Sequence, residues 1–480
     1  MAEKTPLVLD VDGTFLRTDL LFESFWAGLG QAPWATLKAA AFHITRPEKL
    51  KSKLADIVQM RMDLMPVHKD VATAARTAKL EKREVVLASA SDKRLVAQLA
   101  ADYALSPRVF GSDAAHNLKG ARKATELVAA FGDGKFDYAG NDKVDREVWA
   151  HARKAIVVGD TASADMLEAV EKPVVRLPSG QRPERAIHAL RPHQWVKNVL
   201  LFVPLLAAHE FGWPTILAVL MGIISFSLAA SAIYVVNDLL DLEADRLHVK
   251  KRFRPFASGD VPIGTGMLIG AMAAAVALTI ASVLSPAFLG IIVLYMSLSL
   301  AYSLKLKRMR WIDIVVLAAL YTLRVVAGAF ASGVPITGYL LVFIFPVFLT
   351  LGCVKRMTEV TLADTDARLP GRGYAKADRG DLLNVAMIGM AGALLSFFMY
   401  SFTAQAQSLY PTQWLVWATL LPITWWLVRM VRLGFYGKQD HDPIVFAMKD
   451  KRGIGILLIA LGLLFQAAGL WEQYYAYWLG

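Results

Sequence analysis

From Val199 onward the sequence returns repeatedly to apolar stretches of roughly 17 to 25 residues, the length that a hydrocarbon core of about 30 Å imposes on a spanning helix. A helix apolar on every side must be covered by lipid or by other helices, so this half of the chain is read as a polytopic membrane domain. About nine candidate spans follow, near 196–209, 213–236, 263–284, 287–304, 312–332, 336–354, 382–403, 412–431 and 454–474. The residues before about Leu177 are different in kind. There short apolar runs alternate with charged helical patterns, as in a soluble α/β domain, so the 480 residues hold at least two domains.

Loop charges set an expected orientation. The opening "MAEKTPLVLDVDGT" has no apolar run long enough for a secretory signal, which keeps the first domain in the cytoplasm. On that basis the Lys- and Arg-rich connections Arg246 to Arg254, Lys305 to Arg310, Lys355 to Arg379 and Arg429 to Arg452 face inward. The connections "HEFG", "SP", "SGVPITG" and "AQAQSLYPTQ" carry neither residue and face outward, as does the C-terminal "WEQYYAYWLG". A multi-pass protein of a bacterial-type inner membrane is expected. The net charge of +11 is then a product of topology. Without stacking-aromatic motifs or a basic DNA-binding helix, nucleic acid is excluded as a partner. The single cysteine, Cys353, excludes an intrachain disulfide and reads as a packing residue. The sequence is compatible with a homo-oligomer and specifies none.

One stretch crowds charge at the end of an apolar run: "VVNDLLDLEADRLHVKKRFRPFASG", from Val235. On a helix turning about 100° per residue, Asn237, Asp238, Asp241 and Asp245 fall within about one quadrant. A solvated helix end is the plain alternative. Carboxylates gathered on one face at the end of a membrane helix instead suit Mg²⁺, which takes a few carboxylates together with substrate phosphate oxygens.

"NDLLDLEAD" matches the NDxxDxxxD motif of the UbiA superfamily of intramembrane prenyltransferases, and the resemblance runs over about residues 186–480. Within that superfamily "RPHQWVKN" from Arg191, "YSLKLKR" from Tyr302, "KRMTE" from Lys355 and "GRGY" from Gly371 resemble the decaprenyl-phosphate phosphoribosyltransferase branch. The resemblance implies phosphoribosyl diphosphate as donor, a polyprenyl phosphate as acceptor, and Mg²⁺ held by Asp238 and Asp241 with Asn237 and Asp245. Where a prenyl-diphosphate enzyme carries a second acidic motif, this chain has "CVKRMTEVTLAD", led by Lys355 and Arg356 and followed by Glu359. A cationic cluster there suits a second, directly bound phosphate. Lys197, Asn198, Arg252, Arg254, Lys305, Lys355, Arg356, Glu359, Arg372 and Tyr374 are the expected substrate-binding residues, each basic one weighed against a role as an inward membrane anchor. Arg324, on one helical face with Tyr321, is expected to line a polar cavity, with a structural pairing as the alternative. The acceptor phosphate is already an anionic nucleophile and requires no general base.

The soluble half carries its own motif. "PLVLDVDGTFLRTD" is an apolar strand ending in DxDGT and resembles motif I of the haloacid dehalogenase-like (HAD) hydrolases. The resemblance makes Asp10 the phosphoryl-accepting nucleophile and Asp12 the acid/base. It also matches Ser89 of "VVLASAS" and Lys119 of "NLKG" to phosphate-binding positions, and Asn141 and Asp145 of "GNDKVD" to Mg²⁺ ligands beside Asp10 and Asp12. Asn141 departs from the usual acid and leaves open a non-catalytic binding module. "IVVGDTASAD", with Asp160 and Asp165, is a decoy whose spacing is one residue too long.

The expected architecture is therefore multidomain. An N-terminal α/β HAD-like domain, a Rossmann-type parallel sheet, occupies residues 1–178 with a helical cap over about 15–84. A linker with an interfacial amphipathic run covers 179–195, and an all-α UbiA-like membrane bundle covers 196–480. The expected function is transfer of 5-phosphoribose to a polyprenyl phosphate, followed by removal of the 5-phosphate by the fused hydrolase to give a ribose donor for envelope glycans. The competing readings are an aromatic prenyltransferase of the same superfamily and a transporter, the latter disfavoured because acids at a helix end are not a midplane site.

Overall fold

The computed structural model describes residues 4–369, 371–439 and 442–472. The chain divides into two compact units, one formed by Met1–Leu190 with Tyr234–Ala271 and the other by Arg191–Ile233 with Met272–Gly480.

The first unit is built on a six-stranded parallel sheet in the order β3-β2-β1-β4-β5-β6, with β1 Leu7–Leu9, β2 Val85–Asp92, β3 Val109–Ser112, β4 Asp137–Gly140, β5 Lys154–Val158 and β6 Val174–Leu177. Both faces are covered, which is why β1 reads as a continuous apolar run. Leu7 and Leu9 pack into one core with Leu87 and Val96, and Val8 points the other way into a second core with Phe136 and Trp149. Each such fully buried side chain contributes about 1.5–3 kcal/mol. Strand order reverses at β1, between β2 and β4, so Asp10 and Asn141 leave adjacent strand ends at the switch point where doubly wound sheets open a crevice. Four α-helices, Leu20–Gln31, Pro33–His43, Pro47–Ile57 and Lys69–Leu80, lie between β1 and β2, the segment where the sequence leads us to expect a cap.

Residues Tyr234–Ala271 belong to this unit through specific bonds. Arg17 donates to Asp260 at 2.7 Å, and Arg185 pairs with the same carboxylate. Arg246 donates to Glu23 at 2.5 Å. Beneath them Trp26, Ala189, Val235, Leu239 and Phe256 form an apolar cluster.

The second unit is helical. Among the described residues, seven helices of the whole chain are long and apolar enough to cross a membrane, Trp213–Leu240 and Ile263–Leu284 among them. Two of the nine expected spans are corrected. Residues 196–209 fall in a 3-10 helix, Pro192–Phe202, and a six-residue helix, Val203–Ala208, where Pro204 has no N–H to carry a ladder across the junction. The helix Lys451–Ala467 has 17 residues and is stopped by a turn at 468–469, with Gly469 at φ +66°, so it is not among the seven. Its expected end and the C-terminal segment from Gln473 lie outside the described residues. In the Ile263–Leu284 helix the mean hydropathy is 2.3 but only 22% of the apolar window is buried by protein, so the remainder calls for lipid. Gly328 marks a close crossing within this unit. A Cβ there would stand 2.0 Å from the Leu201 carbonyl oxygen, leaving no room for a side chain.

Candidate functional site

In the first unit, the ends of β1, β2 and β4 converge on one cleft. Asp10 follows β1 and is 7% exposed. Its Oδ1 accepts from Lys123 Nζ at 2.7 Å, while Asp145 lies 3.5 Å from the same ammonium. Asp12 is held by three donors: the Ser89 and Ser91 hydroxyls, each at 2.8 Å, and the Leu20 N–H at 2.8 Å. Thr14 donates to Asn141 Oδ1 at 3.1 Å. Burial pushes the Asp10 carboxyl up to about 7, with Lys123 pulling down and Asp145 and Asp12 pushing up.

Lys123, and not the expected Lys119, makes the ion pair with Asp10. Lys119 precedes Gly120 and lines the cleft, whereas Lys123 sits in the first turn of the Ala121–Phe131 helix and points inward. Asp145 is buried and accepts from the Tyr138 hydroxyl at 2.8 Å and from the N–H groups of Asn141 and Asp142, so its oxygens already hold the loop together. The decoy is structural: Asp160 caps the Thr161–Ala169 helix through Ser163, and Asp165 pairs with Arg176.

The acidic motif spans a helix break. Trp213–Leu240 ends just before Asp241, which has φ −100° and ψ 15°, and Leu242–Leu247 follows. Asp238 and Asp245, both buried, receive the Arg254 guanidinium at 2.9 and 2.7 Å. Burial pushes the Asp245 carboxyl up against the pull of Arg254. The Asn237 side-chain oxygen is buried without a hydrogen-bond partner. Arg252 stacks on Phe253 with 4.9 Å from guanidinium to ring centroid.

The second unit gathers the other expected residues in three groups. Lys197 Nζ is 2.5 Å and Lys355 Nζ 3.6 Å from Asp442 Oδ2, to which the Tyr321 hydroxyl donates at 3.2 Å. Burial alone would raise the Asp442 carboxyl, but Lys355 and Lys197 hold it well below the usual carboxylate range. Arg356 is fully buried, bound to Asp313 and, at 2.5 Å, to Glu359, and it donates to the Tyr302 hydroxyl at 2.8 Å. Arg372 lies 3.6 Å from Asp313, and the buried Tyr374 accepts from the Trp311 N–H. Arg324 donates to Asn198, to the Leu320 carbonyl and to the Tyr295 hydroxyl, between the rings of Phe226 and Tyr321. It is spent on packing its own helix to its neighbours. Lys305 is exposed. Sequence reading missed Lys123, Asp313 and Asp442. Tyr302 and Asp313, eleven residues apart, carried no spacing signal.

Among the described residues no three His, Cys, Asp or Glu side chains converge into a metal nest by themselves. The donor sets nonetheless fit Mg²⁺. At the helix break, the orphaned Asn237 oxygen and the Asp238 and Asp245 carboxylates are hard oxygen ligands, and the Arg254 cation already bridges the two acids. In the cleft Asp10, Asp12 and Asn141 offer oxygens, and burial, with the charges of Asp145 and Asp12 adding to it, raises the Asp10 carboxyl against the pull of Lys123. Such an ion keeps waters and takes substrate phosphate to complete its shell.

The model of the UbiA prenyltransferase family matches residues 199–449. The chain belongs to the UbiA prenyltransferase family. It is a multi-pass membrane protein and a prenyltransferase-type enzyme. The protein y4nM of Sinorhizobium fredii is 31% identical over 95% of this chain and 90% of its own length, an alignment that runs through the N-terminal α/β domain. The decaprenyl-phosphate phosphoribosyltransferase of Mycobacterium tuberculosis H37Rv is 31% identical over 58% of this chain and 92% of its own. A solved UbiA homologue from Archaeoglobus fulgidus, bound to DMAPP and Mg²⁺, aligns with 59% of this chain and 99% of its own at 16% identity and a TM-score of 0.45.

Proposed function

We propose that this UbiA-family enzyme moves 5-phosphoribose from phosphoribosyl diphosphate to a polyprenyl phosphate, and that its N-terminal domain, HAD-like, removes the 5-phosphate. The observation that carries the transferase reading is the Lys197 and Lys355 pair held on Asp442, with Lys355 in the segment where a prenyl-diphosphate enzyme would carry a second acidic motif. The name of the mycobacterial relative supports the same branch.

Asn237, Asp238, Asp241 and Asp245 would hold Mg²⁺, which supplies charge neutralisation for the departing diphosphate. Lys197, Lys355 and Tyr321 would take the acceptor phosphate in competition with Asp442. An acceptor oxygen bonds to the ribose anomeric carbon as the bond to diphosphate breaks, and positioning supplies most of the rate. In the cleft, Asp10 attacks phosphorus and the ester oxygen leaves with a proton from Asp12. Water then cleaves the acyl phosphate on Asp10 and returns a proton to Asp12. Asp10, Asp12 and Asn141 would hold a second Mg²⁺ there. The product, polyprenyl-phosphoryl ribose, would serve envelope glycan synthesis. The N-terminal domain would face the cytoplasm and the C terminus the outside, in agreement with the loop charges.

Mass spectrometry of lipids after incubation with Mg²⁺, phosphoribosyl diphosphate and a polyprenyl phosphate tests both steps. The expected wild-type product is polyprenyl-phosphoryl ribose, and Asp10→Asn stops at the 5-phosphorylated lipid. No ribose addition, with prenyl transfer to a hydroxybenzoate instead, would replace this reading by an aromatic prenyltransferase.

A further inference from the structure

The cleft around Asp10 and Asp12 has a volume of about 590 Å³, and its outer side is completed by Gln181 and by Pro262 to Thr265. That segment opens the Ile263–Leu284 helix, an apolar candidate span of 22 residues. It is fastened where it begins. Asp260 takes the Arg17 guanidinium at 2.7 Å and pairs with Arg185, and its carbonyl accepts from the Arg182 N–H at 2.8 Å. Gly259, at φ +70°, lies so close that a Cβ would stand 3.1 Å from the Arg17 carbonyl oxygen, and a Cβ on Gly264 would stand 3.2 Å from the Phe22 ring.

The walls of the cleft have two characters. Leu21, Phe22 and Ile263 present an apolar side. Lys51 and Lys119 add cations beyond Lys123, which Asp10 already occupies, and Lys51 reaches over from the cap to the Ala90 carbonyl at 2.6 Å. Two further cations are more than one phosphate beside Lys123 needs and suit a second anionic group on the same substrate.

We propose that this cleft takes phosphate monoesters carried on a membrane-anchored chain with a second phosphate, that the first turn of the Ile263–Leu284 span is its substrate-selecting wall, and that Asp260 is the positioning residue fixing that wall. The inference rests on the reading of the cleft as a hydrolase. A lipid-linked ester carries an apolar anchor, and the wall it would meet is the first turn of an apolar span. A soluble ester has no anchor to bring there.

The test uses the full chain in lipid nanodiscs with two substrates, polyprenyl-phosphoryl ribose 5-phosphate and free ribose 5-phosphate. Asp260→Ala is expected to lower the ratio of kcat/KM for the lipid ester to that for the soluble ester by about tenfold or more, chiefly through KM, with partial recovery in Asp260→Glu. A ratio equal to that of the wild type, whatever the absolute rates, overturns the proposal. If the wild type releases no more phosphate than Asp10→Asn from either substrate, the hydrolase reading has failed, and the wall is judged by binding alone. Thr265→Cys, the only exposed thiol because Cys353 is buried, is then labelled with maleimide with and without orthovanadate. Slower labelling with vanadate supports a wall on an anion-binding cleft, and equal labelling overturns it.

Discussion

Arg356 Nε lies 2.5 Å from Asp313 Oδ2, and both side chains are completely buried. The guanidinium also reaches Glu359 and the Tyr302 hydroxyl, so its donors are committed before any substrate arrives. Removing one partner strands the other as a buried charge, at about 3–5 kcal/mol. Asp313→Ala should therefore lower the melting temperature of the detergent-solubilised protein sharply. Arg356→Lys, which cannot reproduce the fork, should lose more stability than donor affinity. A variant with unchanged melting but a raised KM would assign Arg356 to substrate instead.

Lys123 and Lys119 lie four residues apart and should differ widely in effect. Lys123→Ala removes the cation bonded to Asp10 and is expected to cut phosphate release by about 10²–10³-fold, comparable to losing one preorganised electrostatic donor. Lys119→Ala should cost about tenfold or less, read as a rise in KM. Malachite-green assays of both variants on one substrate compare them directly.

Lys197 and Lys355 share the Asp442 carboxylate. If the acceptor phosphate takes its place, Lys355→Ala should raise the KM for polyprenyl phosphate by about ten- to a hundredfold, or about 1.4–2.7 kcal/mol, with little change for phosphoribosyl diphosphate. Equal loss toward both substrates would mean that the lysine serves the fold.

Asp260 gives a pH signature. Burial alone would raise its carboxyl, but hydrogen bonds from Arg17 and Ser258 and the charges of Arg17 and Arg185 leave it below the ordinary value. A depressed folded-state value adds stability above the unfolded carboxylate value of about 3.9 and loses it as pH falls further. Asp260→Asn should thus be more easily proteolysed than wild type near pH 7, and the difference should shrink below about pH 4. A constant difference across that range would remove the ionised carboxylate from the account.

Much of this arrangement was legible in local sequence. An apolar strand followed by DVDGT placed Asp10 and Asp12 at a strand end, and "NDLLDLEAD" after an apolar run placed Asp238 at the end of a long helix. What could not be read depended on partners distant in the chain. Asp313 and Arg356 are 43 positions apart and Lys197 and Asp442 are 245 apart, so neither pair has a spacing. Lys119 stands in the short motif "NLKG", whereas which lysine reaches Asp10 is set by where the helix starts, at Ala121. The two overcounted spans have the hydropathy of a membrane helix but not the length, which Pro204 decides in one case and the helix end at Ala467 in the other.

The grouping of Tyr234–Ala271 with the α/β domain bears on whether the membrane enzyme can be prepared without that domain. Val235, Leu239 and Phe256 are sheltered by Trp26 and Ala189, residues more than forty positions upstream. A protein begun at Arg191 would leave these side chains bare and Arg246 without Glu23. The α/β domain is thus less a passenger on the transferase than a folding partner for the loop bearing its acidic motif. Shortened enzymes made to isolate the transferase step need compensating polar substitutions at these apolar positions.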